Sequence, residues 1–402
     1  VTFVGNLAGE DNTTGNNNTA VGSQALAANT VGDRNVAIGD VALFNLNPST
    51  NADTHNTAVG HASGFAMTTG VRNTLLGSNS GNAITTGNQN TIVGEGAGVA
   101  LTDADYNVAI GRAALPSDTK GNRTVAIGYN TLAAQNFTTS TDTYNTAVGY
   151  EAGAAVTTGL YNTLIGGLAG DALTDADFNV ALGQNALTVD TLGSKSTAIG
   201  AAALNVQNFT TATDSHNTAV GYSAGSAVTT GVENTLIGSL AGDAITTGNE
   251  NTALGKSAMS ANTNGRRNTA LGHSALVAYN HTTATNAYNT AVGYNAGAAV
   301  TTGLVSTFIG ALAGDAITTA NSNVAVGSSA LSTETSGANC TAIGTNALAT
   351  QNVAGGTNVA NTAVGYDAGT AVTSGVQNTF VGGYAGDALT VGIRNTALGY
   401  QS

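Results

Sequence analysis

Hydrophobic and polar positions along the chain recur in a fixed cycle. A five-residue run, polar–Thr/Val–apolar–aliphatic–Gly, most often NTAVG, begins at positions 1, 18, 35, 56, 73, 90 and 107 and continues in the same way to a last start at 395. The spacing between starts is 17, widening to 21 after the starts at 35, 124, 196, 268 and 340. Three short steps and one long one make a superrepeat with a period of 72, obeyed by the starts at 145, 217, 289 and 361. A three-residue apolar run bounded by Asn and Gly is a short strand. A 17-residue unit is too short for a helical repeat, and with the TTG-like turn before each new motif it predicts one coil of a parallel β-solenoid. The fold class expected is therefore all-β: a single solenoid over positions 1–402, with 23 coils of the 17- or 21-residue kind. At one strand spacing per coil that is a rod on the order of 110 Å.

Each position of the unit carries its own expectation. Gly at position 5 is invariant, as in Gly22, Gly149, Gly221, Gly293 and Gly365; such invariance within one chain asks for a positive φ or for a close approach that a Cβ would block. Positions 2 and 4 share one face of the strand and position 3 the other. With both faces apolar, the strand is expected to bury positions 2 and 4 in its own coil and position 3 against a partner. Where position 9 is Gly, position 12 is nearly always apolar (Gly153 with Val156, Gly170 with Leu173); where position 9 is Leu or Met, position 12 is usually polar (Leu187 with Asp190, Met259 with Asn262). That exchange reads as volume compensation in a narrow core. The Asn at position 1 in most units is expected to form hydrogen-bonded ladders between coils.

Composition narrows the function. Hydrophobic residues are 42% of the chain and charged residues 8%, which permits a packed core and excludes an acidic disordered tail. Ten Lys and Arg against a net charge of −13 give no basic stripe, so nucleic acid is not an expected partner. The one cysteine, Cys340, excludes an intrachain disulfide framework and a cysteine-based zinc site, and no apolar run reaches membrane-spanning length. The five His do not recur with a Ser and an acid, so no catalytic residues, cofactor or enzyme activity are expected. Asp171, Asp243, Asp315 and Asp387 recur at the 72-residue period, and Asp103/Asp105 and Asp175/Asp177 form pairs. They lack the dense Gly-Asp repeat of calcium-binding rolls and read as turn carboxylates, with no metal expected.

Residues at the 72-residue period are the candidates for ligand contact. Tyr150, Tyr222, Tyr294 and Tyr366 follow the motif Gly, and the four-residue insertions carry Asn136-Phe137-Thr138, Asn208-Phe209-Thr210 and Asn280-His281-Thr282. Exposed aromatics flanked by amides and hydroxyls suit glycan stacking and hydrogen bonding. The alternative is that these loops cap the coils or pack on neighbouring chains; the Asn-x-Thr triplets are also formal glycosylation acceptors.

STAIG at Ser196, NVAIG at Asn35 and Asn107, and NVAVG at Asn323 resemble the SVAIG motif of YadA-type trimeric adhesin heads, and the NTAVG/NTALG arrays with TTG turns resemble phage tail-fibre-like repeat proteins. The resemblance covers essentially the whole chain, although adhesin-head coils are shorter. It implies a left-handed β-roll, a homotrimer of intertwined or side-by-side chains that covers position 3, and an extracellular setting on a virion tail fibre or a bacterial cell surface. Tail-fibre relatives often continue into a chaperone domain that cuts itself off after a Ser; Ser402, at motif position 8, is compatible with that cut and equally with truncation. The expected function is a structural shaft that holds a receptor-binding tip or its own loops at a distance, with a host or surface glycan as candidate partner and ice binding through Thr-rich faces as the alternative. Since Val1 already stands at motif position 1, the chain is expected to be a section of something longer.

Overall fold

A computed structural model describes residues 1–50, 52–355 and 358–402. The chain is a parallel β-solenoid of 23 coils, and no helix occurs among the described residues. It divides into two compact units, Val1–Ser196 with Asn208–Thr213, and Thr197–Gln207 with Asp214–Ser402. The first stacks eleven three-residue strands, from Thr2–Val4 to Val180–Leu182, and the second stacks twelve, from Thr197–Ile199 to Thr396–Leu398.

Within each unit the strands pair in parallel with the equivalent residues one coil on, as in Thr146↔Thr163, Ala147↔Leu164 and Val148↔Ile165, or Thr218↔Thr235, Ala219↔Leu236 and Val220↔Ile237. Pairing does not slip at the 21-residue coils: Val125↔Thr146 keeps the register, and the extra residues leave the main sheet. They form a second, two-residue parallel ladder instead, such as Gly121–Asn122 with Thr141–Asp142 and Gly265–Arg266 with Thr285–Asn286.

The strand faces are the reverse of the sequence expectation. Position 3 turns into the coil: Ala20, Leu75, Ile92, Leu164, Leu236 and Phe308 are fully buried. Positions 2 and 4 turn outward, and Ile38, Leu76, Leu182, Leu254, Ile309 and Ile343 are exposed. The reason lies across the coil. Positions 3, 8, 9 and 12 and the Asn at position 1 all point to the interior, and together they fill it, so no room remains for positions 2 and 4. Position 3 therefore needs no partner chain.

Volume compensation is present and involves one more position than the pattern suggested. Leu164 at position 3 reaches both neighbouring position-9 glycines; a Cβ on Gly153 or on Gly170 would lie 2.7 Å from a Leu164 methyl. Phe308 does the same to Gly297, at 2.8 Å. A bulky residue at 3 thus demands Gly at 9 in its own coil and in the one before. Position 9 is left-handed whether it is Leu (φ 53° at Leu26) or Gly (φ 61° at Gly153), so Gly also removes a steric cost there.

The invariant Gly at position 5 meets both requirements set by the sequence. Gly22, Gly149, Gly221, Gly293 and Gly365 have φ between +138 and +145°. A Cβ on Gly221 would sit 2.6 Å from the carbonyl of Gly238 in the next coil. The Asn ladders are present too. Along them the side-chain oxygen accepts the backbone N–H of the next motif (Asn73 N to Asn56 Oδ1, 2.9 Å; Asn90 N to Asn73 Oδ1, 3.0 Å), while Nδ2 in most coils donates to a carbonyl further along the chain (Asn56 to Gly70, 2.7 Å) and in Asn35 and Asn268 to one two residues back. The amide side chain thereby satisfies buried backbone groups that the short strands leave unpaired. Thr in the TTG turns adds another ladder, in which Thr157 donates both N–H and Oγ1–H to the Thr174 carbonyl.

Candidate functional site

The outward strand face presents two files side by side, Thr or Val at position 2 and Val, Ile or Leu at position 4. In the second unit Thr218, Thr235, Thr252, Thr269, Thr290 and Thr307 follow one another in register over six coils. Beside them run Val220, Ile237, Leu254, Leu271, Val292 and Ile309. A three-residue strand with its middle side chain inward has no alternative to showing the other two.

Aromatic residues border this face. On the side of position 6, Tyr150, Tyr222, Tyr294 and Tyr366 are all more than half exposed. Tyr150 stacks on Tyr129 of the preceding coil, with centroids 5.5 Å apart and planes 14° apart, and Tyr294 stacks on His273 at 5.6 Å. A hydrogen bond to Glu151 is the main cause that raises the Tyr150 hydroxyl pKa, and the charge of Asp367 is the main cause for Tyr366. On the other side, the residue before the motif supplies a continuous stack: Arg123 lies between the rings of Tyr106 (5.4 Å) and Tyr144 (5.7 Å), and Tyr144, Tyr161 and Phe178 stack in turn at 5.6 and 4.8 Å. Sequence reasoning missed this stack. Its signal was aromatic or Arg at one column of successive 17- and 21-residue units.

The insertion loops are built differently from expectation. Phe137 and Phe209 are not exposed; they turn inward and are 7% and 6% accessible. Their backbone N–H groups donate to the buried carboxylates of Asp118 and Asp190, each at 3.0 Å, and those contacts fold the loop start onto the coil. Asn136, Asn208 and Asn280 accept from the Thr one coil back (Thr119, 3.1 Å; Thr191, 3.1 Å; Thr263, 2.6 Å), so their oxygens already serve the coil ladder. His281 is half-buried against Tyr279, ring centroids 5.3 Å apart, and desolvation lowers its pKa. Of the ligand-contact candidates, the four tyrosines stay on the surface with their rings accessible. The loop residues lie seven or eight positions further round the coil and do not join them.

A buried relay underlies the first of these loops. Asp118 accepts from Gly121 N (3.0 Å), Phe137 N (3.0 Å) and Gln135 Nε2 (2.6 Å); Gln135 Oε1 in turn accepts from Asn145 Nδ2 (2.9 Å). Glu334, Gln351 and Asn361 repeat it at 2.9 and 2.7 Å. These are carboxylates with three or more donors inside the core, a structural arrangement rather than an accessible reactive group.

The turn carboxylates behave as ladder acceptors where they pair: Asp105 accepts from Asn88 N at 2.6 Å and Asp177 from Leu160 N at 2.7 Å. Asp243 and Asp315 are partly desolvated, which raises their pKa. Among the described residues no three His, Cys, Asp or Glu gather to hold a metal ion, and no helix is long and apolar enough to cross a membrane. Compared with protein-family models and with curated proteins, the chain matches none of either.

Proposed function

We propose that the protein is a non-enzymatic structural shaft, a trimer of β-solenoid chains in an extracellular fibre of the tail-fibre or adhesin-head kind. One observation carries this reading: the outward file of aliphatic residues at position 4, half-buried in most coils and exposed at Leu76, Leu182, Leu254, Leu271 and Ile309. A contiguous apolar stripe that recurs with every coil is costly in water and suits association with another copy. Within each unit, parallel ladders and side-chain amide ladders hold coil to coil, which gives a support on which loops vary without disturbing the core. The net charge of −13 per chain favours closed small assemblies over lateral clumping.

The test is solution mass by light scattering of the wild type and of a chain carrying Leu254→Lys and Ile309→Lys. A wild-type mass of three chains, and a monomer with an unchanged melting profile for the variant, are expected. A monomeric wild type overturns the reading.

A second reading rests on the outward Thr file, in register over six coils of the second unit. An ordered array of hydroxyl and methyl groups at strand spacing suits ice or another periodic surface. A monomer that shows thermal hysteresis, lost on replacing those Thr by bulky residues, would favour it; the exposed Leu and Ile at position 4 favour protein association instead.

A further inference from the structure

The column of position-6 residues follows a rule that the strand register exposes. Each 72-periodic tyrosine is followed, one coil on, by a small residue: Tyr150 by Gly167, Tyr222 by Ser239 and Tyr294 by Ala311. Register in the first case is fixed by Leu168 N donating to the Tyr150 carbonyl at 2.9 Å and Asn185 N to the Gly167 carbonyl at 3.1 Å. Tyr150 therefore stands over Gly167, and Gln184, exposed, stands one coil beyond. A Cβ on Gly167 would meet nothing within 4 Å, so the space above it is open.

We propose that Tyr150, Gly167 and Gln184 frame a slot that takes one pyranose ring of a surface glycan, and that Tyr222/Ser239 and Tyr294/Ala311 are slots of the same kind. The dimensions fit. Two strand spacings separate the Tyr150 ring from Gln184, about 9.6 Å, and a ring held between two walls at van der Waals distance needs roughly 8 Å. Tyr150 offers one free face, because the other is stacked on Tyr129 at 5.5 Å. That stack fixes the ring in place before a ligand arrives, which lowers the cost of binding. Around the slot are groups for sugar hydroxyls: the Tyr150 hydroxyl, the Glu151 carboxylate beside it and the Gln184 amide. The pairing of an apolar ring face with an edge of acceptors and donors matches a pyranose, whose C–H face is apolar and whose rim is polar.

The fourth tyrosine marks the boundary of the rule. Tyr366 is followed by Gly383, but Tyr384 lies edge-on to it at 5.2 Å and Tyr400 lies edge-on to Tyr384 at 5.8 Å, so this position is already occupied by the chain's own rings. In the second unit, Tyr222 and Tyr294 are four coils apart, about 19 Å. A glycan chain or a dense glycan layer could engage both, and weak single sites would then add by effective concentration.

The proposal needs only a single chain and is independent of the number of copies in the shaft. It is tested by saturation-transfer NMR on the full chain with methyl β-D-glucopyranoside, methyl β-D-galactopyranoside and cellotetraose as probes, at about ten times a millimolar Kd. Three proteins are compared: wild type, Tyr150→Ala/Tyr222→Ala/Tyr294→Ala, and Gly167→Leu/Ser239→Leu/Ala311→Leu, which fills the slots. Gly167 has no left-handed φ and no neighbour in the way, so the filling variant is expected to keep its melting temperature and its solution mass. Saturation of the sugar C–H protons in the wild type, reduced at least tenfold in both variants, is the expected result. No transfer to any of the three sugars, or transfer undiminished by the filling variant, overturns the proposal. Either outcome leaves the mass measurement to decide the shaft by itself.

Discussion

Replacing Asp118 by Asn removes a single charge and almost no volume, yet it should break a chain of hydrogen bonds. The carboxylate accepts three N–H donors and fixes the direction of every amide behind it. Because Asp118 can only accept, Gln135 must turn Nε2 toward it; Oε1 is then free to accept from Asn145 Nδ2, whose second hydrogen goes to the Gly159 carbonyl at 2.7 Å. With Asn at 118, two NH₂ groups face each other across the 118–135 contact. Flipping Gln135 moves the clash to Asn145. One buried amide donor is orphaned in either case. A hydrogen bond to a charged group contributes about 1.5–3 kcal/mol, and the relief of burying a charge offsets part of its loss, so a net cost of about 2 kcal/mol is expected.

Hydrogen exchange reads this locally. The amides of Gly121 and Phe137 should exchange about 30-fold faster in Asp118→Asn. The chain also contains the cure. In the earlier superrepeat, Asn29 occupies the equivalent place, followed by Asn35 at position 1 and Leu46 at position 12, and Asn35 Oδ1 accepts from both Thr54 Oγ1 (2.8 Å) and Asn56 N (3.1 Å). The triple variant Asp118→Asn/Thr124→Asn/Gln135→Leu installs that set and should return the exchange of Gly121 to near wild type, since Gly32 N donates to Asn29 Oδ1 at 3.0 Å in the same place. Exchange unaltered in the single variant, or no recovery in the triple, would refute the relay.

Other outcomes follow from the same packing. Gly221→Val forces a Cβ to within 2.6 Å of the Gly238 carbonyl at φ +140°, and loss of more than about 4 kcal/mol in a urea titration is expected. Leu164→Ala empties a site that two position-9 glycines were kept small to admit, and should cost about 2–5 kcal/mol by the same titration. Cys340 is buried, which pushes its thiol from 9.0 up to about 11. The unfolded thiol therefore gives up its proton first as pH rises, so this stabilising contribution is intact below pH 9 and about 2–3 kcal/mol is lost by pH 11. Cys340→Ser should flatten that segment of the stability–pH curve and leave neutral-pH stability nearly unchanged, since Ser196 already stands at the same motif position in a coil that also carries Gln at position 12.

How much of this was legible in the sequence depends on whether a residue's role is set by its own chemistry or by what lies across the coil. Period, strand position, the need for Gly at 5 and the Asn ladders were readable, because each follows from one residue type recurring at one place. The inward direction of position 3 was not. Alternation says only that 2 and 4 oppose 3, and with Ala common at 3 and Val, Ile or Leu at 4, size pointed the wrong way. The deciding signal was nevertheless present as covariation within the chain: every Leu, Ile or Phe at 3 of an interior coil has Gly at 9 in that coil and in the one before, which makes sense only if 3 and 9 share an interior. The relay was hidden for a similar reason. Asp or Glu at position 12 looked like a polar filler until its neighbours were aligned: where the long coil begins with Thr124, Ser196 or Cys340, it carries Gln135, Gln207 or Gln351, and the coil before carries Asp118, Asp190 or Glu334. Where the long coil begins with Asn35 or Asn268, Leu46 or Tyr279 replaces the Gln, and Asn29 or Asn262 replaces the acid. Two interchangeable three-residue solutions to one buried hydrogen-bonding problem imply that the long coil is a module. Its loop can be exchanged between superrepeats without loss of stability when all three residues travel with it, and a graft of residues 124–144 into the place of 268–288 should be about 2 kcal/mol less stable with Asn262 left in place than with Asn262→Asp.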